Sequence, residues 1–132
     1  MQIIYFEYRG IKIIMKKLDY ETCNLVLDYI SENFGYSDDD SRSVLEGLHN
    51  RLNALQSRQQ ASNIFDFLFT NKKIKDYKNA VSEMSNDIVQ CVYSEYALDY
   101  IQENKQPLTL KEVVKKAQEK QRLAEEQERG NL

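Results

Sequence analysis

Apolar side chains recur at alternating spacings of three and four along Ile74, Tyr77, Val81, Met84, Ile88 and Cys91, inside a run of 59 residues between Gly47 and Pro107 that holds neither glycine nor proline. The mean step of 3.5 residues keeps one stripe on one side of a helix, and such a stripe asks for a partner helix to cover it. The pattern predicts a helix from about Lys72 to Asn104, on the order of 50 Å long at 1.5 Å per residue. Beside it, Val89, Tyr93, Tyr96 and Tyr100 form a second stripe, so this helix is expected to be covered on two sides. Those rings either fill a bundle interior with their hydroxyls at its edge or form a tyrosine-lined interface, since tyrosine offers large contact area with few rotamers.

Shorter patterns flank the long one. The first 15 residues are rich in Ile, Tyr and Phe around Arg9-Gly10, which suits a small hairpin. Met15-Lys16-Lys17 also resembles an ordinary chain start, which would make residues 1–14 an extension. Asp19 reads as an N-cap, the stripe Cys23, Val26, Ile30 and Phe34 as a helix, and Gly35 as its left-handed stop. The polar residues Tyr36 to Ser41 read as a loop whose last carboxylates favour the start of a second helix, with Leu45, Leu48, Leu52 and Leu55 as its seam. Gln56 to Asn63 is polar and either continues or bends that helix. Ile64, Phe65, Phe67, Leu68 and Phe69 then crowd together and need covering, by the bundle or by a second subunit.

After Pro107, which ends the long helix, Thr109-Leu110-Lys111-Glu112 has the spacing of a capping box. The fourth helix it starts is apolar at Leu110, Val113, Val114 and Ala117, and faintly at Leu123 and Ala124. From Lys115 to Arg129 it is so polar that it is expected to project or fray. The fold class predicted is all-α: a bundle of about four helices with one long central helix and a short N-terminal β-hairpin as an option. Its divisions are residues 1–17 as extension or hairpin, 18–106 as the bundle core, and 107–132 as a largely polar C-terminal helix.

Composition narrows the function classes without choosing among them. At 132 residues the chain suits one domain. Its net charge of −3 is too small for a generic polyanion binder or a mimic of the DNA backbone. Cys23 and Cys91 lack disulfide or metal-ligand spacing and are expected to be buried thiols in a reducing cytoplasm. No segment approaches the roughly 18 apolar residues of a membrane span, and the N-terminus lacks the uninterrupted apolar region of a signal peptide. Cytoplasmic location without membrane attachment follows as an expectation. The Lys-, Asn-, Ile- and Tyr-rich, tryptophan-free composition suits an AT-rich genome, such as that of a phage or mobile element, where inhibitors of host defence systems are common.

Catalytic chemistry has few residues to use. His49 is the only histidine, which removes multi-histidine metal sites. Arg42 precedes it by seven residues, two helical turns, and this Arg-x6-His spacing resembles the motif of HEPN ribonucleases over eight residues of the chain. The resemblance implies an RNA-cleaving cleft, usually between two subunits, lined by Arg42 and His49. The alternative is a surface arginine and a histidine flanking a leucine seam. Asp38, Asp39 and Asp40 are adjacent instead of alternating as in a calcium loop, and serve better as helix-capping charge. Glycine-rich phosphate loops are excluded, because Gly10, Gly35, Gly47 and Gly130 stand far apart. Lys72, Lys73, Lys75 and Lys78 form a basic run, diluted by Asp76, that reads as a solvated face or a weak phosphate-binding surface.

The function expected is therefore that of a small non-catalytic regulator or inhibitor, docking on a larger protein through Tyr93, Tyr96, Tyr100, Phe65, Phe67 and Phe69. The alternatives are the HEPN-like ribonuclease and a homo-oligomeric scaffold packed through the phenylalanines. No cofactor or metal is expected. Nucleic acid is expected at most weakly, through the four lysines, because Glu95, Asp99 and Glu103 interrupt the tyrosine stripe.

Overall fold

The computed structural model of the chain describes residues 3–36, 39–61, 64–106 and 109–130, with backbone alone at 11, 39, 60, 61 and 64–69. Among the described residues the fold is all-α and bundle-like, with four helices and a two-stranded antiparallel hairpin. The elements are β1 (Ile3–Tyr8), β2 (Ile11–Lys16), α1 (Tyr20–Phe34), α2 (Asp39–Ala61), α3 and α4 (Leu110–Gly130). Helix α3 comprises an α-helical part Ile64–Val92, a π-helical turn Tyr93–Ala97 and a last α-helical part Leu98–Asn104. Two compact units result: Met1–Ser37 with Asn86–Leu132, and Asp38–Ser85.

The first unit begins with the hairpin. Arg9 and Gly10 both take positive φ, 50° and 79°, the two-residue turn whose twist matches that of paired strands. Register runs Ile4↔Met15, Phe6↔Ile13 and Tyr8↔Ile11 on one face, and Ile3↔Lys16, Tyr5↔Ile14 and Glu7↔Lys12 on the other. Met15 is buried, whereas Ile3, Tyr5 and Ile14 on the opposite face are about three-fifths exposed. An isolated hairpin is marginal in water, and this one is fastened at several points. The Phe6 ring meets Tyr93 edge-on at 6.4 Å. At the tip, Arg9 Nη1 and Nη2 each lie 3.0 Å from a different oxygen of Asp99, and the Tyr8 hydroxyl donates to Asp99 Oδ2 at 3.1 Å. At the base, the buried Asn86 side chain accepts from the Leu18 N–H (2.9 Å) and donates to the Leu18 carbonyl (2.8 Å).

Helix α1 starts as its sequence predicts. The Thr22 N–H donates to Asp19 Oδ1 at 2.8 Å, and hydrogen bonding from the Thr22 side chain, with the N–H bond second, holds the Asp19 carboxyl below its ordinary range. Gly35, at φ 76°, ends the helix in the left-handed conformation. Cys23, Val26, Leu27 and Ile30 are buried, and α1 packs on α4, where Leu110, Val113 and Ala117 are buried. The two helices run in the same direction: Leu18 and Thr22 share a groove with Leu110 and Val114, while Glu32 pairs with Lys120 further along. Thr109 caps α4 through the Glu112 N–H at 3.2 Å. Beyond Ala117 every described residue of α4 is exposed, so the polar half remains helical in the structure without burying a face.

In the second unit α2 carries buried Leu45 and Leu52, and α3 carries Thr70, Ile74, Val81 and Ser85. Three boundaries differ from expectation. Helix α2 begins at Asp39, so Asp40 and Ser41 belong to its first turn, where the helix dipole favours acidic residues. The polar stretch after Leu55 continues α2 as far as Ala61. Helix α3 begins at Ile64 instead of near Lys72, taking in the phenylalanine-rich cluster.

The heptad pattern is also resolved into a centre and a margin. Ile74, Val81 and Ile88, seven apart, are buried, whereas Tyr77 and Met84 are half-buried. Cys91, predicted to be buried, is exposed, while Cys23 is buried as predicted. An ideal helix drifts by about 20° per heptad, and the last seam position falls outside the covered stripe. Asn104 ends α3 as predicted, with Lys105 left-handed (φ 54°) and the Gln106 N–H bonded to the Ile101 carbonyl at 3.1 Å.

Candidate functional site

The π-helical turn separates the tyrosines. Val89, Tyr93, Ala97 and Ile101 are each at most 1% exposed, and they step by four. In a straight α-helix each such step drifts about 40° around the axis, so the first and last would not share a face. The wider turn, closed by the Leu98 N–H on the Tyr93 carbonyl, takes up the drift and keeps the four in one buried column. Ala97 and Ile101 therefore occupy the column where Tyr96 and Tyr100 were expected to follow Tyr93. Burial, with the Glu112 charge as a smaller cause, pushes the Tyr93 hydroxyl up to about 12.

Tyr96 and Tyr100, turned out of the column, remain 43% and 45% exposed. Neither ring hangs loose. Phe34 lies edge-on to Tyr100 at 5.0 Å, Tyr36 lies tilted against Tyr96 at 5.5 Å, and Tyr29 backs Phe34 at 6.2 Å. Tyr36 is buried, so the end of α1 and Tyr36 itself form the support of this face. Asp99, holding Tyr8 and Arg9, stands between the two tyrosines along the helix. Desolvation and the hydrogen bond to Asp99 raise the Tyr8 hydroxyl pKa above its ordinary value. The result is a pair of supported phenol rings bordered by an ion pair.

The sequence pointed to Tyr96 and Tyr100 as ring surface but not to Phe34, Tyr36 or Asp99 as their supports. Phe34 was a stripe residue of α1 and Asp99 only an acidic interruption. The remaining candidates lie elsewhere. The side chains of Phe65, Phe67 and Phe69 fall outside the described residues. Lys72, Lys73, Lys75 and Lys78 are all exposed on α3, as is Asp76. Arg42 and His49 are half-buried on α2, about 10 Å apart along it at 1.5 Å per residue, and His49 Nδ1 lies 3.4 Å from Asn53 Nδ2.

Among the described residues, no three His, Cys, Asp or Glu side chains are grouped as metal ligands, and no helix is long and apolar enough to cross a membrane. No protein family, curated protein or solved structure matches the chain.

Proposed function

We propose that this chain is a small non-catalytic binding protein of the cytoplasm that regulates or inhibits a larger protein by docking on it. The observation that carries the reading is the pair Tyr96 and Tyr100, which leave almost half of each residue in water while buried or half-buried rings fix their orientation. Fixed aromatic rings lose little rotamer freedom on association, and tyrosine is enriched among residues that dominate binding energy. The Arg9–Asp99 pair supplies the polar rim that such an aromatic centre requires. Tyr93 serves this site from beneath as part of the column, and Tyr96 and Tyr100 make the contacts.

The test is affinity capture from source-cell extract with the wild type and with a Tyr96→Asp/Tyr100→Asp variant, followed by mass spectrometry. Proteins held by the wild type should be lost from the variant, with helix content at 222 nm nearly unchanged. An identical captured set from both proteins would remove the tyrosine face from the function.

A further inference from the structure

A groove of about 790 Å³ opens where the base of the hairpin meets the starts of α1 and α4. Its lining includes the aliphatic side chains of Ile14, Met15, Leu18, Leu110 and Val114, and its charged members are Lys16, Lys17 and Lys111 against Asp19 alone. The Asp19 carboxylate is already engaged by the Thr22 N–H. An apolar floor with a lysine-rich margin thus stands on a chain whose net charge is −3. The outer face of the hairpin continues it: Ile3 and Ile14 line the groove yet are 58% and 62% exposed, beside Tyr5 at 64% with Lys12 Nζ 4.4 Å from its ring centre. These side chains are costly to leave in water and are not scattered singly.

We propose that the groove takes an acidic amphipathic helix of a partner protein. Val114 and Gln118 lie one turn apart along one wall, above the buried Leu110, and form the accessible ridge of α4 that a second helix accepts in its own grooves. Apolar residues of the incoming helix at i, i+3, i+4 and i+7 cover Ile14, Leu18 and Val114, while its Asp and Glu residues face Lys16, Lys17 and Lys111. The surface is distinct from Tyr96 and Tyr100, and the inference does not depend on their role.

The experiment selects displayed random 16-residue peptides on the wild-type protein, with counter-selection on a Lys16→Glu/Lys17→Glu/Lys111→Glu variant checked for unchanged helix content. Enriched peptides should be acidic, with apolar residues at helical spacing. The best one, made synthetically, should bind the wild type at least about tenfold more tightly than the variant and should shift the amide resonances of residues 16–18 and 110–114. A Tyr96→Asp/Tyr100→Asp protein should bind it as the wild type does, which separates this site from the tyrosine face. Enrichment of neutral or basic peptides, no enrichment at all, equal affinity for the lysine variant, or shifts mapping elsewhere would each overturn the proposal. So would dodecanoate displacing the peptide at micromolar concentration, which assigns the groove to an anionic amphiphile, or sedimentation of the wild type alone as a dimer that the lysine variant lacks.

Discussion

Replacing Asn86 with alanine tests how the hairpin and α1 are held to α3. The Asn86 side chain is 2% exposed and makes two bonds to one residue, accepting from the Leu18 N–H at 2.9 Å and donating to its carbonyl at 2.8 Å. Leu18 lies in the link between β2 and α1, outside any ladder, so these bonds do for its backbone what a neighbouring strand would do. Each neutral bond contributes a net ~0.5–1.5 kcal/mol, and a buried group left without its partner costs about 1–3 kcal/mol. Leu18 is only half-buried, so water recovers part of that loss. We expect Asn86→Ala to cost about 2–3 kcal/mol. With a urea m-value on the order of 2 kcal/mol/M, the midpoint followed at 222 nm should fall by about 1 M, and hydrogen exchange at the Leu18 amide should accelerate. Asn86→Asp keeps the volume and the acceptor but turns a second oxygen toward the Leu18 carbonyl, so at pH 7 it should lose at least as much. A loss below about 0.5 kcal/mol in both variants, or unchanged exchange at Leu18, would refute the assignment.

Two further outcomes follow from single groups. Tyr93 is neutral in the fold with its pKa raised to about 12, so its contribution is complete below the unfolded value near 10 and is lost as pH rises from about 10 to 12. Absorbance at 295 nm should therefore show it ionising among the last of the 9 tyrosines, and alkaline unfolding should be shallower in Tyr93→Phe. Lys105 is exposed and left-handed at φ 54°, a position that glycine occupies without a Cβ penalty. Lys105→Gly should stabilise by about 0.5–1 kcal/mol and raise Tm by roughly 2–4 °C, whereas a fall in Tm would show that the left-handed turn is not retained in solution.

Local signals in the sequence are legible because the forces behind them are local. Arg9-Gly10 between β-rich runs, Asp19 three residues before Thr22, Gly35 after Phe34, and Thr109 before Glu112 each satisfy backbone groups within one turn, and all four stand in the structure. The failures come from structure that spacing does not encode. A π-helical turn makes Val89, Tyr93, Ala97 and Ile101 a column, but in the sequence Ala97 is a small residue beside tyrosines that fit an α-helical period better. Asn86 looks like any polar residue on a helix surface until Leu18, 68 positions away, is brought against it. The groove draws on β1, β2, α1 and α4, so no single window of the sequence contains its lysines and its floor together.

One stretch of α3 organises both proposed surfaces of the first unit. Asn86 holds the base of the hairpin, Tyr93 supports its middle through Phe6, and Asp99 fixes its tip through Tyr8 and Arg9. Between and beyond these anchors, the same stretch turns Tyr96 and Tyr100 outward against Tyr36 and Phe34. The groove depends on the hairpin base, because Ile3, Ile14 and Met15 reach it only while β2 and Leu18 are held in place. The tyrosine face depends instead on the π-helical turn and on the end of α1. Loosening Asn86 should therefore weaken the groove before the tyrosine face, and loosening Asp99 should disturb the hairpin tip beside the rings while leaving the Leu18 link intact. Two proposed surfaces braced by one helix can in this way be separated by the anchor each one needs.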